Sequence, residues 1–470
     1  MVSRRFGIRQ TSGDVAKIRL IDDFTASNVN QTVQVDNAPK LHTLDIVAAL
    51  CMELLRLPCD EAWVGKTIDL SSAYRQLGIS PSSRWVSYIA VYDPSSGGAK
   101  IFSMRALPFG ASRSVYAFLR VAHSLWWLGC TAMKFLWSRF FDDFITLSRK
   151  SEADAMSIAS SQFFRLGWLV SAGEKDLPFS ETFKALGVEI DISTWRNGLV
   201  KFRNTTKRIS ELSDTISSAL KQGRLSSHEA LFLRGRMQFA RAQIWGRAPK
   251  LCLAANTAHA YGENDGSLSS HAKACLSAFL DSLVAARPRE ITAHWDLPSL
   301  LFTDASFNPD DSKWPCGLGG VLCDSTGKQL AALSISLTLE DLCSLGYPQK
   351  STVIFEAELL ALVLCVRLWR KLIQNRPCVM YVDNNGTRDV AISGSARTFP
   401  GSSLVAALLS QEDAACVTAW YARVPSQSNV ADPPSRNSSE GIDVSFVNVS
   451  LVRLHLDKLL GDVMKSGQSG

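Results

Sequence analysis

The chain has 470 residues, 46% of them hydrophobic and 20% charged, with a formal net charge of +6. That length allows two to four domains with real cores, and the composition is that of a globular protein rather than a disordered one. No apolar run reaches the ~18 residues a membrane helix needs, and the opening MVSRRFGIRQTSGD lacks the apolar stretch of a secretory signal.

Residues 1–195 alternate strand-like and helical runs, as an α+β domain should. The stretch 67–76 (TIDLSSAYRQ) reads as a strand end, carrying Asp69, that runs into a helix. A loop at 95–98 (SSGG) joins strands 86–92 and 99–104. At 107–118 (LPFGASRSVYAF) a Pro-Gly turn enters a helix, with backbone amides free for a phosphate or a base. Asp142 and Asp143 sit at a turn between apolar runs in 137–147 (WSRFFDDFITL). A loop with Lys175 (167–175, GWLVSAGEK) and a glycine-containing strand (183–190, FKALGVEI) follow.

From 196 to about 295 the pattern turns helical. Residues 196–250 hold twelve basic and three acidic residues, a balance of +9 that suits a phosphate backbone; a solvated helix face is the plain alternative. The helix in 226–245 has Ser226 as its N-cap candidate with Glu229 in the first turn. Arg234 and Arg241, seven apart, share a face. Strand character returns at 299–305, and a second α/β block follows: strand 317–324, a helix from about 355 to 374, and strand 377–383. Polar 435–441 ends that block. Four segments result: 1–195, 196–295, 296–440, and a tail, 441–470, with a short amphipathic stretch and a frayed end. Eleven cysteines lack CxxC pairs or metal-ligand spacing, which predicts reduced thiols in an intracellular protein, mostly core filler.

Adjacent aspartates repel and are costly to bury, so Asp142 and Asp143 between strands make sense beside a divalent cation. With Asp69 they make three carboxylates on strand ends, a set able to bind two hard cations and align a phosphoryl transfer. An isolated Asp-Asp pair is otherwise a solvated hairpin turn.

In order and spacing these segments resemble the reverse transcriptases of retroelements. DLSSAY is similar to their first palm motif, LPFG with the following Phe to their second, FFDD to their Y/F-x-D-D box, and KALGVEI to their primer-grip strand; 17–30 (KIRLIDDFTASNVN) resembles the preceding fingers segment. The resemblance spans residues 15 to 250. It implies a right-hand polymerase of palm and fingers with a helical thumb and connection. Asp69, Asp142 and Asp143 would then be catalytic carboxylates, the first two being the principal ligands of Mg2+, with Mn2+ as a substitute. The resemblance also implies that Tyr74 excludes the ribose 2′-hydroxyl and that Phe109 and Gly110 form the dNTP-pocket turn. Lys17 or Arg19 would reach the triphosphate, and Lys175 would protonate pyrophosphate. Many relatives carry Gln at Phe109. Only about 16 residues precede the fingers segment, as in an excerpt, a truncated gene copy or a minimal enzyme.

Four further carboxylates resemble the ribonuclease H domain that follows the polymerase in retroelements: Asp304 ending a strand in TDAS, Glu358 in AELLA, Asp383 ending a strand in YVDN, and Asp432 in NVADPPSR. Residues 299–436 are covered. The resemblance makes these four the ligands of a metal pair in an α/β nuclease. Glu356 competes with Glu358, but helical residues two apart do not share a face. Many relatives have a histidine before the last aspartate; 424–432 has none, which puts product release in doubt. The ADPPSR ending brings elements of the DIRS type into view.

The resulting expectation is an RNA-directed DNA polymerase joined to a ribonuclease H, acting on RNA template, DNA primer, dNTPs and RNA–DNA hybrid, with no membrane partner. Arg234 and Arg241 would track the hybrid backbone. The rival readings are a non-catalytic relic or nucleic-acid-binding protein, and a DNA-templated repair polymerase.

Overall fold

The computed structural model describes residues 2–12, 15–34, 40–58, 60–173, 176–262, 265–294, 296–311 and 313–467. Among the described residues the chain is a mixed α/β fold with four sheets. It divides into two compact units, Met1–Phe202 with Glu290–Ala293, and Arg203–Arg289 with His294–Gly470. Among the described residues no helix is long and apolar enough to cross a membrane.

The first unit contains β1 (Val2–Ser12), β2 (Val15–Asp23), α1 (Leu44–Arg56), β3 (Trp63–Asp69), β4 (Tyr88–Asp93), β5 (Gly98–Ser103), α2 (Ser112–Thr131), β6 (Leu136–Phe140), β7 (Asp143–Arg149), α3 (Ala153–Arg165), β8 (Thr182–Ala185), β9 (Val188–Asp191) and β10 (Leu199–Asn204). Its sheets run β2-β1-β4-β5 and β3-β7-β6; β8, β9 and β10 join β11 (Arg289–Thr292) in a third. β7 is central and covered on both faces, with Phe144 turned to one core and Ile145 and Leu147 to another. Phe144 packs with Phe118 of α2, Phe164 of α3 and Trp137. Ile145 and Leu147 pack with Val47 and Cys51 of α1 and with Ile190 and Val200. The register of β7 is thereby fixed, because a slip of one residue would exchange its two faces. The aspartates at its head are fixed with it.

The second unit begins with four helices, α4 (Thr206–Gln222), α5 (Ser227–Arg241), α6 (Pro249–Tyr261) and α7 (Ser270–Ala285). They pack around Leu212, Ile216, Leu233, Met237, Leu276 and Phe279. α5 starts on a reciprocal capping box between Ser226 and Glu229, as its sequence predicts. Next come β12 (Ser299–Phe307), β13 (Cys316–Cys323), β14 (Gln329–Leu337), α8 (Leu339–Cys343), α9 (Ile354–Leu368), α10 (Arg370–Ile373), β15 (Pro377–Val382), α11 (Asn385–Ser393), α12 (Phe399–Ala415), β16 (Thr418–Arg423), α13 (Asp432–Ser435) and α14 (Val449–Gly467). The sheet order is β14-β13-β12-β15-β16. β14, β13 and β12 are antiparallel; β12, β15 and β16 are parallel. Every residue of α9 from Glu356 to Val366 is buried, two glutamates included, so the helix is covered all round rather than along one stripe.

Two expectations change. Asp304 does not end its strand: β12 continues to Phe307, because pairing with β13 persists through Phe307↔Cys316. Asp304 lies opposite Gly319, and a Cβ there would collide with Ala431 and Ser435 of the neighbouring segment. The glycine lets α13 close over the strand. The stretch after 441, expected as a tail with a short amphipathic run, contains the 19-residue α14, with Val452, Leu456, Leu459 and Val463 buried in the same core as α9 and α12.

Candidate active sites

In the first unit the antiparallel pairing of β3 with β7 sets Asp69 directly opposite Asp143. Asp142 occupies the turn of the β6–β7 hairpin, next to Phe141 at φ 51°, and its carbonyl accepts a hydrogen bond from Leu70 N at 3.1 Å. The three aspartates are half-buried at one strand end. Ser171, which the sequence reading did not single out, donates to Asp69 Oδ2 at 2.8 Å, and its amide donates to Asp69 O at 2.7 Å.

Tyr74 is close to this group. Its ring stacks on Phe118 at 4.9 Å and meets the edge of Phe109 at 5.9 Å. Burial, then the Asp142 charge, pushes its hydroxyl up to about 12. Its hydroxyl therefore keeps its proton near neutral pH. Phe109 is exposed. Gly110, at φ 114°, closes the turn against β2, where a Cβ would strike the Asp22 carbonyl; Asp22 N donates to Phe109 O at 3.3 Å. That conformation and that approach both require glycine. Lys17 and Arg19 pair on β2 with Gln10 and Ile8; the positions of their side chains, and Lys175 altogether, lie outside the described residues.

In the second unit Asp304 from β12, Glu358 from α9 and Asp383 at the end of β15 bring ligand atoms within 4.8 Å of one another. Among the described residues they are the one group of three that does so. Asp304 and Glu358 are buried, Asp383 partly. Burial, with the charges of Asp304 and Asp383, raises Glu358 to about 10. Burial also raises Asp304 to about 6, against the lowering effect of the Ser435 hydrogen bond. Burial and crowding thus favour the protonated forms of Glu358 and, less strongly, Asp304. Glu358 Oε2 is buried without a hydrogen-bond partner. An all-oxygen donor set with an orphaned carboxylate oxygen fits a hard divalent cation.

Four partners here were not legible in the sequence. Ser435 donates to Asp304 Oδ2 at 2.6 Å, and Asn429 Nδ2 donates to Thr303 O at 3.1 Å and Asp304 Oδ1 at 3.4 Å. Ser426 donates to Asp383 Oδ2 at 2.9 Å. Arg436 clasps Asp432 through Nε and Nη2 at 3.1 and 3.0 Å. Asp432 opens α13 and is not one of the tight three, but its charge reaches Asp304. Glu356 is bound instead by Lys350 at 2.5 Å and Thr398 at 2.9 Å.

Arg234 and Arg241 are both half-buried on α5, each with a buried Nε that has no hydrogen-bond partner.

No protein-family model matches the sequence, and no curated protein matches it. Among solved structures, the chain is similar to a foamy viral protease-reverse transcriptase dRH in complex with double-stranded DNA. The TM-score is 0.48 at 17% identity, covering 90% of this chain and 65% of that one. A foamy viral protease-reverse transcriptase with RNA/DNA hybrid gives 0.47 at 18% identity, covering 92% and 52%, and one with double-stranded DNA gives 0.45 at 18%, covering 90% and 78%. The chain thus spans less than two thirds of the length of the first two.

Proposed function

We propose that this chain is an RNA-directed DNA polymerase of a retroelement, with palm and fingers in the first unit, and that its second unit joins a helical thumb and connection to a ribonuclease H. The carrying observation is the convergence of Asp304, Glu358 and Asp383, three carboxylates from two strands and a helix that the sequence resemblance had selected together. The pairing of Asp69 with Asp143 supports the polymerase half.

In the polymerase site, Asp69, Asp142 and Asp143 would hold Mg2+, or Mn2+ in its place, and Tyr74 would press on the sugar of a bound dNTP. Ser171 steadies Asp69. In the nuclease site, Asp304, Glu358 and Asp383, with Asp432 from α13, would hold the metal pair. When bound, such metals acidify the attacking hydroxyl or water and neutralise the leaving phosphate oxygen. The protein's share is to hold carboxylates at fixed spacing in a partly dry site. Ser435, Asn429 and Ser426 do so by occupying the remaining lone pairs of Asp304 and Asp383.

The test is extension of a DNA primer on RNA and on DNA templates, with cleavage of a labelled RNA–DNA hybrid followed in parallel, each with Mg2+ and with Mn2+. RNA-templated extension together with RNA cleavage is expected. Extension on DNA alone would favour a DNA-templated polymerase. Tight hybrid binding without either reaction would favour a non-catalytic nucleic-acid-binding protein.

A further inference from the structure

One arginine of the first unit is buried without a counter-charge. Arg139 on β6 is 1% exposed, and its guanidinium Nε and Nη1 have no hydrogen-bond partner. Its Nη2 donates to Lys40 O at 3.1 Å and to His123 Nδ1 of α2, also at 3.1 Å. Burial lowers its pKa, and no carboxylate among the described residues offsets that. Arg5 and Arg247, by contrast, meet the carboxylates of Asp22 at 2.6 Å and Glu412 at 3.0 Å. An unpaired buried cation is costly, and an anion beside it reduces the cost.

Two imidazoles complete the setting. Just before α1, His42 Nδ1 accepts from the Arg139 amide at 3.4 Å, and the His42 amide donates to Arg139 O at 3.2 Å. Both histidines thus accept at Nδ1, so each neutral ring carries its proton on Nε2. Trp126 holds the two rings: His123 stacks on it at 5.3 Å, and His42 meets it edge-on at 4.7 Å. Trp126 is itself anchored, its Nε1 donating to Trp137 O at 2.9 Å. Burial, then the Arg139 charge, lowers both imidazoles. Arg139 is buried, His42 half-buried and His123 exposed, so the cluster reaches solvent at His123. Its side chains offer N–H donors around a positive charge, which is the complement of an oxyanion.

We propose that Arg139, His123 and His42 form a binding site for a small oxyanion of the phosphate class, on the strand that leads into the Asp142 turn. Arg139 supplies the charge and its unused N–H groups. His123 supplies a donor on the solvent side, and His42 one at the edge of β6.

The experiment titrates the full chain, kept metal-free with EDTA, with inorganic phosphate at constant ionic strength. Calorimetry follows binding, and the melting temperature is measured in parallel. Saturable binding is expected, with a rise in melting temperature that chloride at the same ionic strength does not give. Arg139→Met keeps much of the side-chain bulk and removes the charge. It should lose the phosphate-dependent rise, and without phosphate it should melt no lower than the parent. His123→Ala, at an exposed position, should weaken phosphate binding roughly five-fold and leave the phosphate-free melting temperature unchanged. No rise in the parent, or an equal rise in the parent and both variants, would overturn the proposal. So would an Arg139-dependent rise with a short single-stranded oligonucleotide but none with inorganic phosphate, which would assign the contact to a nucleic-acid backbone. Arg139→Met that melts well below the parent without phosphate, together with unchanged binding by His123→Ala, would make Arg139 a packing residue.

Discussion

Ser435 donates its hydroxyl hydrogen to the buried carboxylate of Asp304 at 2.6 Å, across 131 residues of sequence. This bond opposes the burial that raises Asp304 to about 6. Ser435→Ala should therefore raise Asp304 further, since a hydrogen bond to the charged form favours ionisation. The acidic limb of the pH–rate profile for hybrid cleavage should move up by roughly one unit, for a charged hydrogen bond worth about 1.5–3 kcal/mol. Ser435→Thr should rescue it. A loss of rate with no movement of the limb would make Ser435 a packing residue only.

The same shifts predict how metal-free stability depends on pH. Asp304 and Glu358 have folded values above those of ordinary carboxylates, about 6 and about 10. Their contribution is fully present below about pH 4 and is lost as the pH rises through those values. Melting in EDTA should thus occur at lower temperature at about pH 8 than at about pH 5, and Mg2+ should restore part of the difference at the higher pH. A Glu358→Gln protein should show a smaller pH dependence. Equal melting temperatures at both pH values in EDTA would contradict the crowded-carboxylate picture.

Tyr74 combines two roles that one substitution can separate. It is stacked on Phe118 and lies near the charge of Asp142. Tyr74→Ala should raise ribonucleotide incorporation relative to deoxynucleotide, and should cost about 1–3 kcal/mol of stability because the ring is only half-buried. Single-nucleotide insertion kinetics with both sugars, beside a denaturant titration, measure the two effects. Unchanged sugar discrimination in a destabilised but active protein would leave Tyr74 as core packing alone.

Arg234 and Arg241 should contribute to hybrid affinity through phosphate contact. Replacing both with Ala should flatten the slope of log affinity against log salt by about two units at most. Both are half-buried, so a slope that does not change, with lowered stability, would assign them to the helix packing.

Periodicity made much of this architecture legible. β7 reads as a strand because its apolar residues serve two cores, and Ser226 with Glu229 announces α5. Helical spacing also separates Glu356 from Glu358: one is turned to Lys350 and Thr398, the other to Asp304 and Asp383. What sequence could not carry was contact at long range. Ser171, Asn429, Ser426 and Ser435 are common loop residues, and only the folded chain makes them carboxylate partners. The extent of β12 past Asp304 was hidden too, because it depends on which strand pairs with it.

Two separate carboxylate centres, one for polymerisation and one for hybrid cleavage, are the central claim. The most direct measurement assays both reactions on Asp142→Asn and on Asp383→Asn, each prepared as folded full-length chain. Asp142→Asn should lower dNTP incorporation by on the order of a hundred-fold or more while leaving RNA cleavage in a preformed hybrid near that of the parent. Asp383→Asn should do the reverse. If either substitution removes both activities from a folded protein, or neither, the two-centre account is wrong.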